Sequence, residues 1–288
     1  MASQMFGGDW TEEKLRRIKK YFKAYNIALK KQPFTREYID AFAGTGYREV
    51  KQSGSQTNLL LPELVEEDCQ DFRDGSASIA LKVDPPFHKF TFIEQNTLKH
   101  EELQKLKAQH PDRDIRTIQG DANERIRELC GESWSNRRAV MFLDPFGMQV
   151  SWETLQAIAS TRSIDMWLLS PLGVAVNRLL KKDGRIEESL RRSLDVLFGE
   201  SDWFDAFYKT KTQTNLFGQE QKSTNKTVNF QSMERYFIDR LRSIFPGVAD
   251  NPLQLRNSRN VALYLLCFAA GNVKGAPIAV NIAQNILK

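Results

Sequence analysis

Four acidic residues each close a short apolar run: Asp40 in "YIDAFAGTG" (38–46), Glu94 in "FTFIEQN" (90–96), Asp121 in "TIQGDANE" (117–124) and Asp144 in "FLDPFG" (142–147). A carboxylate accepts hydrogen bonds only, so such groups suit hydroxyl, amino or cationic partners. The small residues after Asp40 (Ala43, Gly44, Thr45, Gly46) leave no bulk between the backbone and a bound molecule. Glu94 has two oxygens for the two hydroxyls of a ribose, the usual partner of an acid at the end of a second strand. One strand-end acid alone reads as a helix cap or loop residue; four in order are harder to assign that way. Other readings of residues 40–46 are a tight strand-to-helix turn without a ligand and a dinucleotide loop. The dinucleotide pattern needs a third glycine where Glu49 stands, and Asp40 and Glu49 would repel a pyrophosphate.

These acids must be positioned by strands that alternate with helices. The pattern predicts strands at 37–42, 89–94, 114–121, 138–147 and 164–173. Helices are expected at 11–31, 75–83, 97–109, 122–130, 151–160, 232–245 and 276–287. In the first helix Leu15, Ile18, Phe22, Tyr25 and Leu29 form one apolar stripe, with most lysines and arginines elsewhere on its surface. The strand candidates 252–257 and 261–271 lie too close in sequence for a parallel crossover, so they should pair antiparallel. The expected fold is α/β: a doubly wound, mostly parallel, seven-stranded Rossmann-like sheet with an antiparallel C-terminal pair, in one domain over 1–288. Asp40 and Glu94 are 54 residues apart, where about 20–25 is usual for such a unit. Residues 47–88 therefore read as an insertion between the first two strands. Residues 178–232 read as a second insertion or mobile segment, with 209–227 the mobile loop.

Composition narrows the classes. The apolar run 261–270 is about half of a membrane span. Cys69, Cys130 and Cys267 form no ligand cluster, and His88, His100 and His110 are scattered, so no metal site is expected. Three isolated cysteines fit a reducing, cytoplasmic compartment. The net charge of +5 is mild, but residues 12–31 hold eight basic residues against two glutamates. Arg16, Arg17, Lys19, Lys20 and Lys23, with Arg178, Lys181, Lys182 and Arg185, are candidate phosphate contacts on a nucleic acid; ordinary solvated helix faces are the other reading.

The order of strands and acids resembles class I S-adenosylmethionine-dependent methyltransferases. "DAFAGTG" is similar to their first loop, with Phe42 in place of a glycine. "DPFG" resembles the D-P-P-Y/F motif of enzymes that methylate exocyclic amines of nucleobases. The segments "WTEEKLRRIKKYFKAYNIALK", "YIDAFAGTG", "FTFIEQN", "FLDPFG" and "LYLLCFAAGNVKGAPIAVNIAQNIL" together resemble the three-Cys-motif partner proteins, TcmP. That resemblance implies S-adenosylmethionine as cofactor, with Asp40 near its cationic methionine portion and residues 42–46 packed against it. It also implies Glu94 on the ribose, Asp121 on the adenine amino group and Ala122 near the ring edge. Asp144 and the carbonyl of Pro145 would accept from a target amine, and Phe146 would stack on its base. The expected activity is methylation of an exocyclic nitrogen in RNA or DNA. The alternatives are a non-catalytic partner of a radical-SAM-like three-Cys-motif protein, or a methyltransferase for a small molecule or protein.

Overall fold

The computed structural model describes residues 9–43, 75–145, 147–214, 220–257 and 259–288. Glu49 and most of the 47–88 insertion lie outside them. The elements run α1 (Asp9–Ala28), β1 (Thr35–Asp40), α2 (Ser76–Leu81), β2 (Lys89–Glu94), α3 (Thr97–Gln109), β3 (Asp114–Gln119), α4 (Ala122–Cys130), β4 (Arg137–Leu143), α5 (Trp152–Ser160) and β5 (Ile164–Ser170). A π-helical turn (Leu172–Asn177) follows. Then come α6 (Glu188–Phe198), α7 (Trp203–Phe207), β6 (Tyr208–Thr214), β7 (Glu220–Lys226), α8 (Phe230–Ile244), β8 (Gly247–Val248), β9 (Leu253–Arg256), β10 (Ala262–Ala270) and α9 (Ala276–Leu287).

The main sheet runs β3-β2-β1-β4-β5-β10-β8, with β9 also on β10. Strands β1 to β5 pair in parallel, and β10 is antiparallel to β5, β8 and β9. This is a doubly wound, mostly parallel α/β sheet of the Rossmann-like class. The described residues form eight strands in it rather than seven. The additional one, β8, is two residues long and takes the part of the β10 edge that β9 leaves open: β9 pairs with Ala262–Leu266, β8 with Ala269–Ala270.

Alternation along the strands builds a core on each face. On β4, Ala139, Met141 and Leu143 join Ile126, Leu155, Leu197 and Phe237 of α4, α5, α6 and α8. Val140 and Phe142 join Phe22, Ala80, Leu103 and Ala283 of α1, α2, α3 and α9. The apolar stripe of α1 is buried at Leu15, Ile18, Phe22 and Tyr25. Tyr21 adds an anchor: its ring meets Trp167 and Phe268 with centroids 5.3 and 4.8 Å apart, and its hydroxyl donates to Asp165 Oδ2 at 2.8 Å.

Two differences from the sequence reading have local causes. Strand β5 stops at Ser170 rather than 173, because Pro171 has no N–H to donate to the ladder. Residues 208–214 and 220–226 pair as an antiparallel hairpin in place of the expected loop.

Asp40 and Asp165 are among the buried carboxyl groups of the described residues. Burial raises each from 3.8 to about 6, although hydrogen bonds oppose the shift. The native state thus holds these protons more tightly than the unfolded chain. That stabilisation is complete below about pH 4 and is lost as pH rises through 6. Asp165→Asn keeps an acceptor for Tyr21 and has no proton to lose. Denaturant titrations should show its stability relative to wild type rising by roughly 3 kcal/mol between pH 4 and pH 7. A difference that does not change with pH would contradict the assignment.

Candidate functional site

Strand order reverses between β1 and β4: the chain adds β2 and β3 on one side of β1, then returns to place β4 on the other. In open α/β sheets a crevice opens beyond the carboxyl ends of the strands at such a point. Here that crevice is a cleft of about 330 Å³, lined by Ala41 and Phe42 after β1, Glu94 and Gln95 at β2, Lys99 of α3, Gly120 to Asn123 after β3, and Asp144 and Gln149 after β4. A larger cavity of about 490 Å³ lies at the opposite rim, among Tyr21, Tyr25, Phe34, Arg138 and Asp165. It is larger, but none of the four strand-end acids reaches it.

Three of those acids share the cleft. Glu94 Oε1 accepts from the Asn96 amide at 2.8 Å, which turns the chain into α3. Asp121 is the N-cap of α4, its Oδ1 accepting from the Glu124 amide at 3.1 Å. The capping and cleft-lining readings of Asp121 therefore hold together, since the carboxylate has two oxygens. Ala122 is buried beside it. Gly120 stands at φ 149°, a backbone conformation that L side chains rarely adopt, so this turn favours glycine.

Asp40 is fully buried. Among the described residues it lies behind the cleft, not in its wall. Ser76 Oγ and Tyr38 Oη donate to its Oδ2, the latter at 2.9 Å, and the Phe42 amide reaches Oδ1 at 3.4 Å. These donors turn the carboxylate inward, where it shapes the start of the loop. Phe42 faces the cleft and Ala43 is buried, its amide bonded to the Ile93 carbonyl at 3.1 Å. Gly44, Thr45 and Gly46 lie outside the described residues.

Asp144 follows β4 and is half-buried, with Pro145 buried next to it; Phe146 lies outside the described residues. The unforeseen feature is Lys14. Its buried side chain crosses from α1 to Asp144 Oδ2 at 2.5 Å, with Nζ 5.8 Å from the Phe142 ring centroid. Asn123 is the second residue the sequence reading missed. Its Nδ2 donates to the Gln149 carbonyl at 2.8 Å, while its Oδ1 accepts from the Ser151 amide at 3.0 Å and Thr154 Oγ1 at 2.8 Å. It thus ties α4 to the segment after Asp144. Ser151 caps α5, its Oγ accepting from the Thr154 amide at 3.3 Å.

The expected phosphate contacts divide. Lys19, Lys20, Lys23, Arg178, Lys181, Lys182 and Arg185 are exposed. Arg16 is exposed and paired with Glu13. Arg17 is turned into the helix packing, bonded to Glu13 at 2.5 Å and to the Ile286 carbonyl of α9. Its role is to join α1 to α9, which leaves little of its guanidinium for a phosphate. No group of metal-ligating side chains occurs among the described residues. No described helix is long and apolar enough to cross a membrane.

No protein-family model and no curated protein matches the chain. Similar solved structures include protein LPL1258 from Legionella pneumophila str. Philadelphia 1, with TM-score 0.42, 14% identity, 83% of this chain and 93% of that one covered. Another is the N-terminal domain of EvdMO1 with SAH bound, with TM-score 0.41, 12% identity and coverages of 88% and 80%. A third is an S-adenosylmethionine-dependent methyltransferase from Clostridium acetobutylicum ATCC 824, with TM-score 0.35, 11% identity and coverages of 91% and 97%. Likenesses this distant carry no argument about activity.

The Lys14–Asp144 pair is open to a double-mutant cycle by denaturant titration. With Lys14→Met, Asp144→Asn and the double variant, the coupling should be about 1–3 kcal/mol, as for a half-buried ion pair. A coupling near zero would show that solvent screens the two charges.

Proposed function

We propose that the protein is an S-adenosylmethionine-dependent methyltransferase acting on an exocyclic nitrogen of a nucleobase in RNA or DNA. The observation that carries this reading is the convergence of Glu94, Asp121 and Asp144, from three parallel strands, on one cleft at the switch point. The set of acceptors suits a cationic nucleoside. Carboxylates answer the diol, the amino group and the positive charge, and Ala41, Phe42 and Ala122 offer apolar surface to a ring. Glu94 would hold the ribose hydroxyls, and Asp121 would offer the oxygen not used in capping to the adenine amino group. Asp40 contributes by fixing the loop start through Phe42 rather than by direct contact.

The cofactor, when bound, supplies a methyl group already activated on sulfur. The protein's task is then alignment and exclusion of water. Asp144 would accept a hydrogen bond from the target amine and so direct the nitrogen lone pair. Lys14 holds Oδ2 and leaves Oδ1 for that contact. Phe146, by its place in the sequence, would supply the stacking face. Lys19, Lys20, Lys23 and the basic residues of 178–185 would meet phosphates.

A second reading is favoured by the same ion pair. Lys14 already holds one oxygen of the acid assigned to the amine and neutralises its charge, as suits a binding subunit that keeps the fold without transferring methyl groups. Such a subunit would accompany a separate three-Cys-motif protein.

Calorimetry and a transfer screen separate these readings. Wild type should release heat with S-adenosylhomocysteine, and Glu94→Ala should weaken that binding by about 10–100-fold through loss of charge-assisted hydrogen bonds. Labelled methyl groups should enter cellular RNA or DNA with wild type and fall at least a hundredfold with Asp144→Asn. Binding without transfer would favour the subunit reading. No binding at all would remove the methyltransferase reading.

A further inference from the structure

Strands β6 and β7 form a polar ribbon with two unequal faces. Cross-strand register sets Lys209 opposite Asn225 and Lys211 opposite Ser223 on one face. Tyr208, Thr210, Thr224 and Lys226 lie on the other. The second face is an anchor. Tyr208 stacks on Phe204 with centroids 4.6 Å apart and donates to the Lys181 carbonyl at 2.9 Å. Lys226 donates from its amide to the Lys182 carbonyl at 2.9 Å and from Nζ to Asn177 Oδ1 at 2.9 Å. Thr224 and the Tyr208 ring close on Gly184, where φ is 71° and a Cβ would come within 2.7 Å of Thr224 Cγ2. The ribbon therefore has a defined seat on residues 177–184.

The first face has no such use. Lys209, Lys211, Ser223 and Asn225 are all exposed. Asn225 Nδ2 donates to Ser223 Oγ at 3.1 Å on this face, and the ion pairs of the described side chains include neither Lys209 nor Lys211. Residues two apart on one strand are about 7 Å apart, which spans two steps of about 3.4 Å along a nucleic-acid strand. The seat also has a position. Residues 177–184 continue from the π-helical turn that leaves the carboxyl end of β5, the rim on which the cleft opens. Exposed Arg178, Lys181, Lys182 and Arg185 lie along that path.

We infer that the outer face of the β6–β7 hairpin is a docking surface for the sugar-phosphate backbone of a nucleic acid. Lys209 and Lys211 take phosphates, and Ser223 and Asn225 hydrogen-bond to the backbone between them. The ribbon thereby holds the substrate across the rim while a base reaches the cleft. This rests on the nucleic-acid reading above and adds to it the surface that grips.

The test is fluorescence anisotropy with a labelled 20-base-pair DNA duplex and an RNA stem-loop, titrated with salt. The variants are Lys209→Ser/Lys211→Ser and a charge-matched control on α3, Lys105→Ser/Lys107→Ser. The hairpin variant should bind about tenfold more weakly, with a salt slope smaller by about two. The control should change less than twofold, and heat with S-adenosylhomocysteine should be the same for all three proteins. Equal loss in hairpin and control variants, or none in the hairpin variant, would overturn the hairpin's role while leaving nucleic-acid methylation standing. Failure of wild type to bind either probe would overturn both.

Discussion

Strand β1 is hydrogen-bonded in parallel on both sides, to β2 and to β4. That pairing is the constraint on which the site depends. It forces the carboxyl ends of β1, β2, β3 and β4 to one rim, so that residues 40, 94, 121 and 144 become neighbours despite their separation in sequence. It also places the reversal of strand order between β1 and β4, where no connecting helix can cover the crevice. The cleft is a consequence of topology before it is a consequence of any side chain.

Within that frame, burial sorts the acids. Asp40, on the central strand, is out of contact with water, and three donors must satisfy it. Glu94 and Asp121 keep partial access to solvent while their first oxygens shape the turns into α3 and α4. Asp144 is met by a lysine from α1, 130 residues away in sequence. The same residue type thus serves as a structural pin, a turn former with an oxygen to spare, and one half of an ion pair. What differs is the desolvation each position imposes and the donors nearby.

Much of this was legible in the residues. The runs "KFTFIE" and "TLKHEELQKLKAQ" become β2 and α3 with the expected bounds, the first because a short apolar run is a local signal. The antiparallel pairing of β9 with β10 follows from their short separation. The inward turn of Asp40 was not legible, since it depends on Ser76, 36 residues on. Lys14 was hidden for a similar reason: the helical pattern assigns lysines to water, and only the seat of α1 on the sheet brings this one to Asp144. The β6–β7 hairpin was read as a loop because both faces are polar, which removes the alternation that marks a strand.

The most direct test of the account is a crystal structure of the protein grown with S-adenosylhomocysteine. The account predicts ligand density in the switch-point cleft, with the ribose hydroxyls within hydrogen-bond reach of Glu94 and the adenine amino group near Asp121. Ligand density confined to the cavity beside Tyr25 and Asp165 at the opposite rim would contradict it.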